Sequence, residues 1–185
     1  MGQSSHDPKE WAGDLGEYFS SKDDKHFIFG VEDHFISYPV DTNMIDKLAK
    51  YTLDDKVGRI NLTFHLRQRP YDIIEMDGDL EVIEAHTGND YRISTQYSIW
   101  NREYMLKYLQ HGLDIWNFEM VQSQYAKTDG YRVLGTGKMN PIHVATGVRK
   151  LDLSDVDWTC DEALGDPSKH LKPEVIQDMK DKGII

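Results

Sequence analysis

The alternation of apolar and polar positions predicts short helices and strands through the first half of the chain. Residues 11–19 carry apolar side chains at helical spacing and predict a helix. The apolar run from His26 to Val31 lies between two polar clusters, which is typical of a buried strand. Asp41 can cap a helix that ends near Tyr51.

Two further segments have the alternation of strands. Residues 57–66 alternate apolar with polar side chains and predict a strand with one buried face. Residues 72–76 and 80–85 flank the turn sequence Asp-Gly-Asp, and together they predict a hairpin. The first half of the chain is therefore expected to mix both kinds of element.

The second half repeats the order of strand and helix. Residues 91–99 alternate as a strand, and Asn101 can then open a helix that ends near Gly112. A second helix is predicted over residues 114–125, and a short strand over residues 132–134.

This order of elements predicts an α/β fold, with a single domain in which a mixed sheet is flanked by helices. We expect that domain to span residues 1–150. Residues 151–185 are richer in Asp and are broken by Pro167 and Pro173. We expect them to form a C-terminal extension of loops and a terminal helix.

The composition narrows the class of protein. The chain has 185 residues, of which 39% are hydrophobic, and this is enough for one compact domain with its own core. Its net charge of −11 has no compensating basic stretch, so nucleic acid is a poor partner. Cys160 is the only cysteine, so no intrachain disulfide can form and a cytoplasmic setting is expected. No apolar run approaches the roughly 20 residues of a membrane span, which predicts a soluble protein.

The predicted strand at residues 26–31 ends on two carboxylates, Glu32 and Asp33, followed by His34. In open α/β sheets ligands bind beyond the carboxyl ends of the strands, and carboxylates there suit a hard cation such as Mg²⁺ or Mn²⁺. The alternative is an acidic turn that returns the chain to solvent. On this triplet alone, the acidic turn is the favoured interpretation.

A second candidate lies in the sequence WNFEM, where Trp116 and Phe118 flank Glu119. An apolar neighbourhood can prepare a carboxylate to act as a general base. The alternative is an exposed helical glutamate whose neighbours belong to the core, and spacing alone favours this alternative.

Polar and basic side chains supply two weaker candidates. Arg92, Ser94, Gln96 and Ser98 share one face of the predicted strand, where they either line a sugar or phosphate site or are simply solvated. In the sequence GVRK, Arg149 and Lys150 can neutralise a diphosphate.

Taken in order, the segments VEDHFISYPVD, YRISTQYSIWNREYMLKYL, WNFE and GVRK resemble small glycosyltransferase-like proteins of the nucleotide-diphosphosugar transferase (GT-A) type, found among capsule and phage polysaccharide genes. The resemblance covers roughly residues 2–150. It implies a GT-A-like fold, and it implies metal-dependent transfer of a sugar from a nucleotide-sugar to a glycan or other hydroxyl acceptor.

The resemblance also implies roles for individual residues. Glu32 and Asp33 correspond to the family's Asp-x-Asp motif, although the spacing here is different; the motif would hold Mn²⁺ or Mg²⁺, and His143 is a candidate further ligand. Trp116 to Glu119 resembles the family's Trp-x-x-Glu, in which the Glu deprotonates the acceptor hydroxyl and the anomeric carbon is inverted. The implied donor- and substrate-binding residues are Arg92, Gln96, Trp116, Arg149 and Lys150.

One departure from the family concerns the start of the domain. Proteins of this type normally begin with a β-α-β segment that binds the nucleotide, whereas only residues 1–25 come before the predicted strand here. We therefore expect an N-terminally abbreviated domain, as a truncated reading frame or as an inactive remnant that has lost donor binding. Because a missing edge exposes sheet surface, we also expect self-association into a homo-oligomer.

The competing interpretation is a non-catalytic carbohydrate-binding or assembly module. Tryptophan rings stack on sugar faces, and acidic residues would then serve only to keep the protein soluble. The candidate stacking residues are Trp11, Trp100, Trp116 and Trp158.

Overall fold

The computed structural model describes residues 7–31, 34–36, 38–146, 177 and 181. Within these ranges helices pack on both faces of a mixed sheet, which confirms the predicted α/β class. The α-helices are α1 (Trp11–Ser20), α2 (Thr42–Ala49), α3 (Arg102–Tyr108) and α4 (Ile115–Tyr125). The strands are β1 (His26–Phe29), β2 (His34–Ile36), β3 (Val57–Asn61), β4 (Tyr71–Asp77), β5 (Leu80–Ala85), β6 (Ser98–Asn101), β7 (Arg132–Thr136) and β8 (Val144–Thr146).

Six of these strands form one sheet, in the order β1-β6-β3-β7-β5-β4, and β2 pairs separately with β8. Strands β3 and β7 are parallel, whereas the other neighbours in the sheet are antiparallel. Four strands (β1, β3, β4 and β7) therefore end, and two (β5 and β6) begin, at one edge of the sheet. We call this the carboxyl edge; it is marked by Phe29, Asn61, Thr136, Leu80 and Ser98.

The core of this single domain lies on both faces of the sheet. On one face, α2 packs Met44 and Leu48 against the apolar side chains of the central strands. The other face carries α1, α3 and α4 around the buried ring of Trp100. Gly58 of β3 allows this close packing, because a Cβ at that position would lie only 2.6 Å from the Tyr104 ring.

The predicted helix starts are confirmed by their caps. The Asp41 side chain accepts a hydrogen bond from the Met44 N–H at 3.0 Å, and Asn101 accepts one from the Tyr104 N–H at 3.1 Å. Asp114 caps α4 in the same way. Each such cap contributes about 1 kcal/mol by satisfying an otherwise unpaired donor of the first turn.

Two strand predictions need correction. The strand predicted as buried at residues 26–31 is the edge strand β1, and Ile28 is 49% exposed. The strand predicted at residues 57–66 ends at Asn61, where the chain turns towards a 3-10 helix (Phe64–Gln68). All five residues of β3 are buried, because helices cover the face that the alternation assigned to solvent.

The strand predicted over residues 91–99 is also wrong for most of its length. Strand β6 begins only at Ser98, and Tyr91 has a φ of 57°, in the left-handed region that a bulky side chain rarely adopts. Residues 91–97 instead form an irregular connection, which we call the connecting segment.

The predicted C-terminal extension lies outside the described residues, except for Gln177 and Asp181. Trp158 is also outside them. Across the described part of the chain, no helix has both the length and the apolar character that crossing a membrane requires.

Candidate functional site

The connecting segment is held by side chains of α4 in place of a neighbouring strand. The Ile93 N–H donates to the Ser123 hydroxyl at 3.0 Å, and that hydroxyl donates back to the Ile93 carbonyl at 3.1 Å. One turn earlier on α4, Glu119 accepts a hydrogen bond from the Thr95 N–H at 2.6 Å. Buried backbone groups need partners, and here α4 supplies them.

Glu119 is a buried carboxylate with a defined hydrogen-bond geometry. Its side chain is 9% exposed, so the alternative of an exposed helical glutamate is wrong. Its Oε1 atom accepts from both the N–H and the hydroxyl of Thr95, at 2.6 and 2.8 Å. Among contacts between described residues, both of these bonds end on Oε1, which leaves Oε2 as the oxygen that can take up a proton.

Gln96, the next residue of the segment, connects it to β2 and to the end of β3. Its amide nitrogen lies 3.0 Å from the His34 Nε2 atom, and its carbonyl oxygen accepts from the Thr63 hydroxyl at 3.3 Å. The amide nitrogen can only donate, so His34 Nε2 accepts and its ring carries the proton on Nδ1. Gln96 therefore lies at the carboxyl edge, as a binding residue there would.

Asn61 lies beside this contact, at the end of β3. Its side chain is fully buried, and its carbonyl oxygen accepts a hydrogen bond from the Thr63 hydroxyl at 3.4 Å. The amide nitrogen of Asn61 is buried without a hydrogen-bond partner among the described residues. A buried donor of this kind favours a ligand or water at the carboxyl edge.

Arg92 lies inside the protein, whereas the sequence pattern placed it on a solvated strand face. Its guanidinium donates to the carbonyls of Ala126 at 2.9 Å, Tyr131 at 2.5 Å and His86 at 3.2 Å. With 1% of its surface exposed, Arg92 anchors the connecting segment to the body of the domain. We therefore leave it out of the ligand-binding set.

A second buried arginine, Arg59, binds backbone carbonyls of the connecting segment. It donates to the carbonyls of Ser94 at 2.9 Å and Tyr91 at 3.2 Å, and it is fully buried. Burial lowers the pKa of Arg59 to about 10, and the guanidinium therefore stays charged at neutral pH.

A half-buried histidine, His65, packs against Tyr91 of the connecting segment. The His65 ring meets Tyr91 edge-on at 5.6 Å. The Arg69 guanidinium lies 4.5 Å from the same Tyr91 ring and donates to the His65 carbonyl at 3.3 Å. Burial, together with the charges of Arg69 and Arg59, lowers the pKa of His65 to about 3, so its imidazole is neutral at pH 7.

Trp116 lies on the outer side of α4, one turn before Glu119, and is 70% exposed. The other described tryptophans face inwards: Trp100 is fully buried, and Trp11 packs on Phe118 with ring centroids 5.4 Å apart. Among the described tryptophans, Trp116 is therefore the one whose ring is accessible to a ligand.

Of the three residues predicted to bind metal, His143 is the one within the described ranges, so the predicted metal site stays a prediction. No cluster of three His, Cys, Asp or Glu side chains occurs among the described residues. His143 packs edge-on against Tyr38 at 5.6 Å. The register of β2 with β8 pairs Ile36 with Val144 and His34 with Thr146, so His143 lies about 10 Å along the ladder from His34.

Four predicted site residues lie outside the described residues: Glu32, Asp33, Arg149 and Lys150. The neighbours of the acidic pair, Val31 and His34, are both buried. Val31 follows β1 at the carboxyl edge, and this is the position that the sequence analysis assigned to a ligand site.

The structure thus brings Glu119 and Gln96 together through the dipeptide Thr95-Gln96, and Gln96 contacts the residue that follows Asp33. Sequence analysis missed Thr95, Asn61 and several neighbours. A signal was present, because polar side chains crowd the ends of two predicted strands. The residues missed in this way are His34, Arg59, Asn61, Thr63, His65, Arg69 and Thr95.

Comparisons of the chain with protein-family models, with curated proteins and with solved structures gave no match. The chemistry of this region is accordingly derived from its own residues and contacts.

Proposed function

We propose that the protein is a metal-dependent glycosyltransferase of the GT-A type, which transfers a sugar from a nucleotide-sugar to a hydroxyl group of a glycan or other acceptor. The observation that supports this proposal is the dipeptide Thr95-Gln96. Its first residue binds the buried carboxylate of Glu119, and its second contacts His34, directly after the acidic pair. The proposed base and the proposed donor site thereby share one short segment at the carboxyl edge.

Glu119 is the proposed general base. Its Oε2 takes the proton of an acceptor hydroxyl as that hydroxyl attacks the anomeric carbon, and a single displacement of this kind inverts the carbon. The two donors on Oε1 hold the carboxylate in a fixed orientation. General-base catalysis of this kind typically contributes about 100- to 10,000-fold in rate.

The donor is proposed to lie between the acidic pair and the connecting segment. Gln96 and the exposed ring of Trp116 contact sugar, while Arg149 and Lys150 neutralise the diphosphate. Mn²⁺ or Mg²⁺ on Glu32 and Asp33 would offset the negative charge of the departing nucleoside diphosphate. His143 is the proposed further ligand of this metal ion.

The decisive experiment replaces Glu119 with glutamine and with alanine. Glutamine keeps an oxygen that accepts from Thr95, so the segment stays attached, but it cannot take up a proton. We expect Glu119→Gln to lower Mn²⁺-dependent release of nucleoside diphosphate at least about 100-fold. Donor binding, measured by calorimetry, should be unchanged.

Glu119→Ala is the matched variant, because it removes the base and the acceptor for Thr95 together. We expect it to lose both activity and thermal stability. A Glu119→Gln protein that turns over at nearly the wild-type rate would contradict the assignment of the base.

A non-catalytic carbohydrate-binding module is the second candidate, and the exposure of Trp116 favours it. The two functions separate in a panel of uridine, guanosine and thymidine diphosphosugars. Absence of metal-dependent turnover, together with glycan binding that Trp116→Ala abolishes, would support the module. Absence of both would fit an inactive remnant. Self-association stays a prediction, and light scattering would test it.

A further inference from the structure

Thr95 makes two hydrogen bonds to a single oxygen of Glu119. Its N–H lies 2.6 Å and its hydroxyl 2.8 Å from Oε1, and Thr95 itself is 4% exposed. The Thr95 N–H belongs to a backbone that is itself held in place, so it fixes the position of the carboxylate. Arg59 holds the preceding carbonyl, that of Ser94, at 2.9 Å.

We infer that Thr95 is a positioning residue for Glu119: its N–H and hydroxyl hold Oε1, so that Oε2 is the oxygen that accepts the proton. This inference rests on the proposed function, in which Glu119 is the base. It adds a residue that neither the sequence pattern nor the family resemblance assigns.

The physical reason is the opposition between burial and hydrogen bonding. Removing a carboxylate from water favours its protonated form, whereas donors to the carboxylate favour the ionised form. Thr95 supplies both donors that reach Oε1 from described residues. Thr95→Val therefore removes one of the two donors from Oε1.

The alternative is that Thr95 serves only to attach the connecting segment to α4. Ser123 allows this to be tested, because it holds the same segment one helical turn later, through two hydrogen bonds to Ile93. Ser123→Ala loosens the segment without removing a donor from Glu119. If attachment of the segment is what matters, Thr95→Val and Ser123→Ala should have the same effect. An effect on the carboxylate should appear only when Thr95 is changed.

The experiment compares wild type with Thr95→Val, Thr95→Ser and Ser123→Ala. The rate of Mn²⁺-dependent release of nucleoside diphosphate is measured as a function of pH, with the diphosphosugar on which the wild type is most active. We expect Thr95→Val to move the acid limb of the rate profile upwards by about one to two pH units, the size of one hydrogen bond to a charged group. Serine should restore the wild-type limb, and Ser123→Ala should lower the melting temperature while leaving the limb in place.

Each outcome decides between the claims. If an active wild type and Thr95→Val have the same acid limb, the positioning role is wrong and the proposed function stands. If Ser123→Ala shifts the acid limb of the rate profile as far as Thr95→Val does, Thr95 only attaches the segment to α4, and the inference is again wrong. If the wild type releases no nucleoside diphosphate with any donor, the proposed function fails and the inference fails with it. Should Thr95→Val not fold, Thr95→Ala and Thr95→Ser provide the same comparison.

Discussion

The hairpin of β4 and β5 and the connecting segment 91–97 are both predicted as strands from the sequence, yet they fold in different ways. In the hairpin, six residue pairs from Tyr71–Ala85 to Asp77–Leu80 form an antiparallel ladder with one register shift, between Ile73 and Glu75. Its turn contains Gly78, whose φ is 63°. In the connecting segment, the backbone groups bond to the side chains of Ser123, Glu119 and Arg59.

The difference shows that a strand-like sequence pattern does not report which partner the backbone finds. Hairpin strands pair through backbone groups that every residue except proline supplies, so the ladder tolerates many side chains. The connecting segment depends on particular side chains of distant residues. We therefore expect substitutions to be far more damaging around the segment than around the hairpin.

The largest expected effect follows from Arg92→Met. Methionine replaces most of the volume but leaves the carbonyls of Ala126, Tyr131 and His86 without the guanidinium that binds them. We expect the free energy of unfolding to fall by about 4 kcal/mol, as when a buried hydrogen-bond network is broken. Urea denaturation monitored by tryptophan fluorescence measures this change.

Arg132→Met is the matched control beside the hairpin. Arg132 donates to Glu84 of β5 at 2.7 Å, but it and its partners are partly exposed, so we expect a loss of at most about 1 kcal/mol. Equal losses for the two arginines would mean that the connecting segment is no more dependent on side chains than the hairpin is.

A smaller effect is expected for Ser123→Ala. The substitution leaves the buried N–H and carbonyl of Ile93 without their shared partner, and we expect a loss of about 2 kcal/mol. Hydrogen exchange gives a local readout, because the Ile93 amide should lose its protection while the amides of β5 keep theirs. In the hairpin, Ile73→Thr changes a side chain that is 55% exposed, and we expect a change within about 0.5 kcal/mol. An unchanged exchange rate at Ile93 would contradict the proposed anchoring.

Those parts of the fold that depend on neighbouring residues could be predicted from the sequence. The caps at Asp41, Asn101 and Asp114 each bind a backbone N–H three residues away, and the hairpin closes over its own turn. Such signals lie within one short window of sequence. The α/β class followed from the order of these local elements.

The contacts that fix the connecting segment join residues that are far apart in the chain. Thr95 and Glu119 are 24 residues apart, Arg92 and Tyr131 are 39 apart, and Gln96 and His34 are 62 apart. No local pattern distinguishes Arg92, which is buried among carbonyls, from an arginine on a solvated strand face. For this reason the sequence predicted Gln96 and Glu119 as chemical candidates, but it did not predict Thr95 or the inward position of Arg92.

The smallest effect concerns pH and the half-buried His65, which faces the connecting segment through Tyr91. Its pKa falls from the usual 6.5 to about 3, because burial and the charges of Arg69 and Arg59 oppose protonation. Below pH 6.5 the unfolded chain binds a proton at His65 that the folded protein does not bind. Titration of His65 therefore leaves the free energy of unfolding unchanged above pH 6.5. As the pH falls from 6.5 towards 3, the free energy of unfolding decreases by at most about 1.4 kcal/mol per pH unit.

At pH 5.5 this linkage should lower the free energy of unfolding by about 1 kcal/mol relative to its value at pH 7.5. His65→Gln should remove that difference, because glutamine does not titrate. The control is His86→Gln at the end of the hairpin, where the imidazole is exposed and lies 3.2 Å from Asp72. Denaturation curves of the two variants at both pH values test the prediction. If His65→Gln keeps the wild-type dependence on pH, then the folded protein accepts a proton at His65, and the region beneath the connecting segment is more open to water than its contacts indicate.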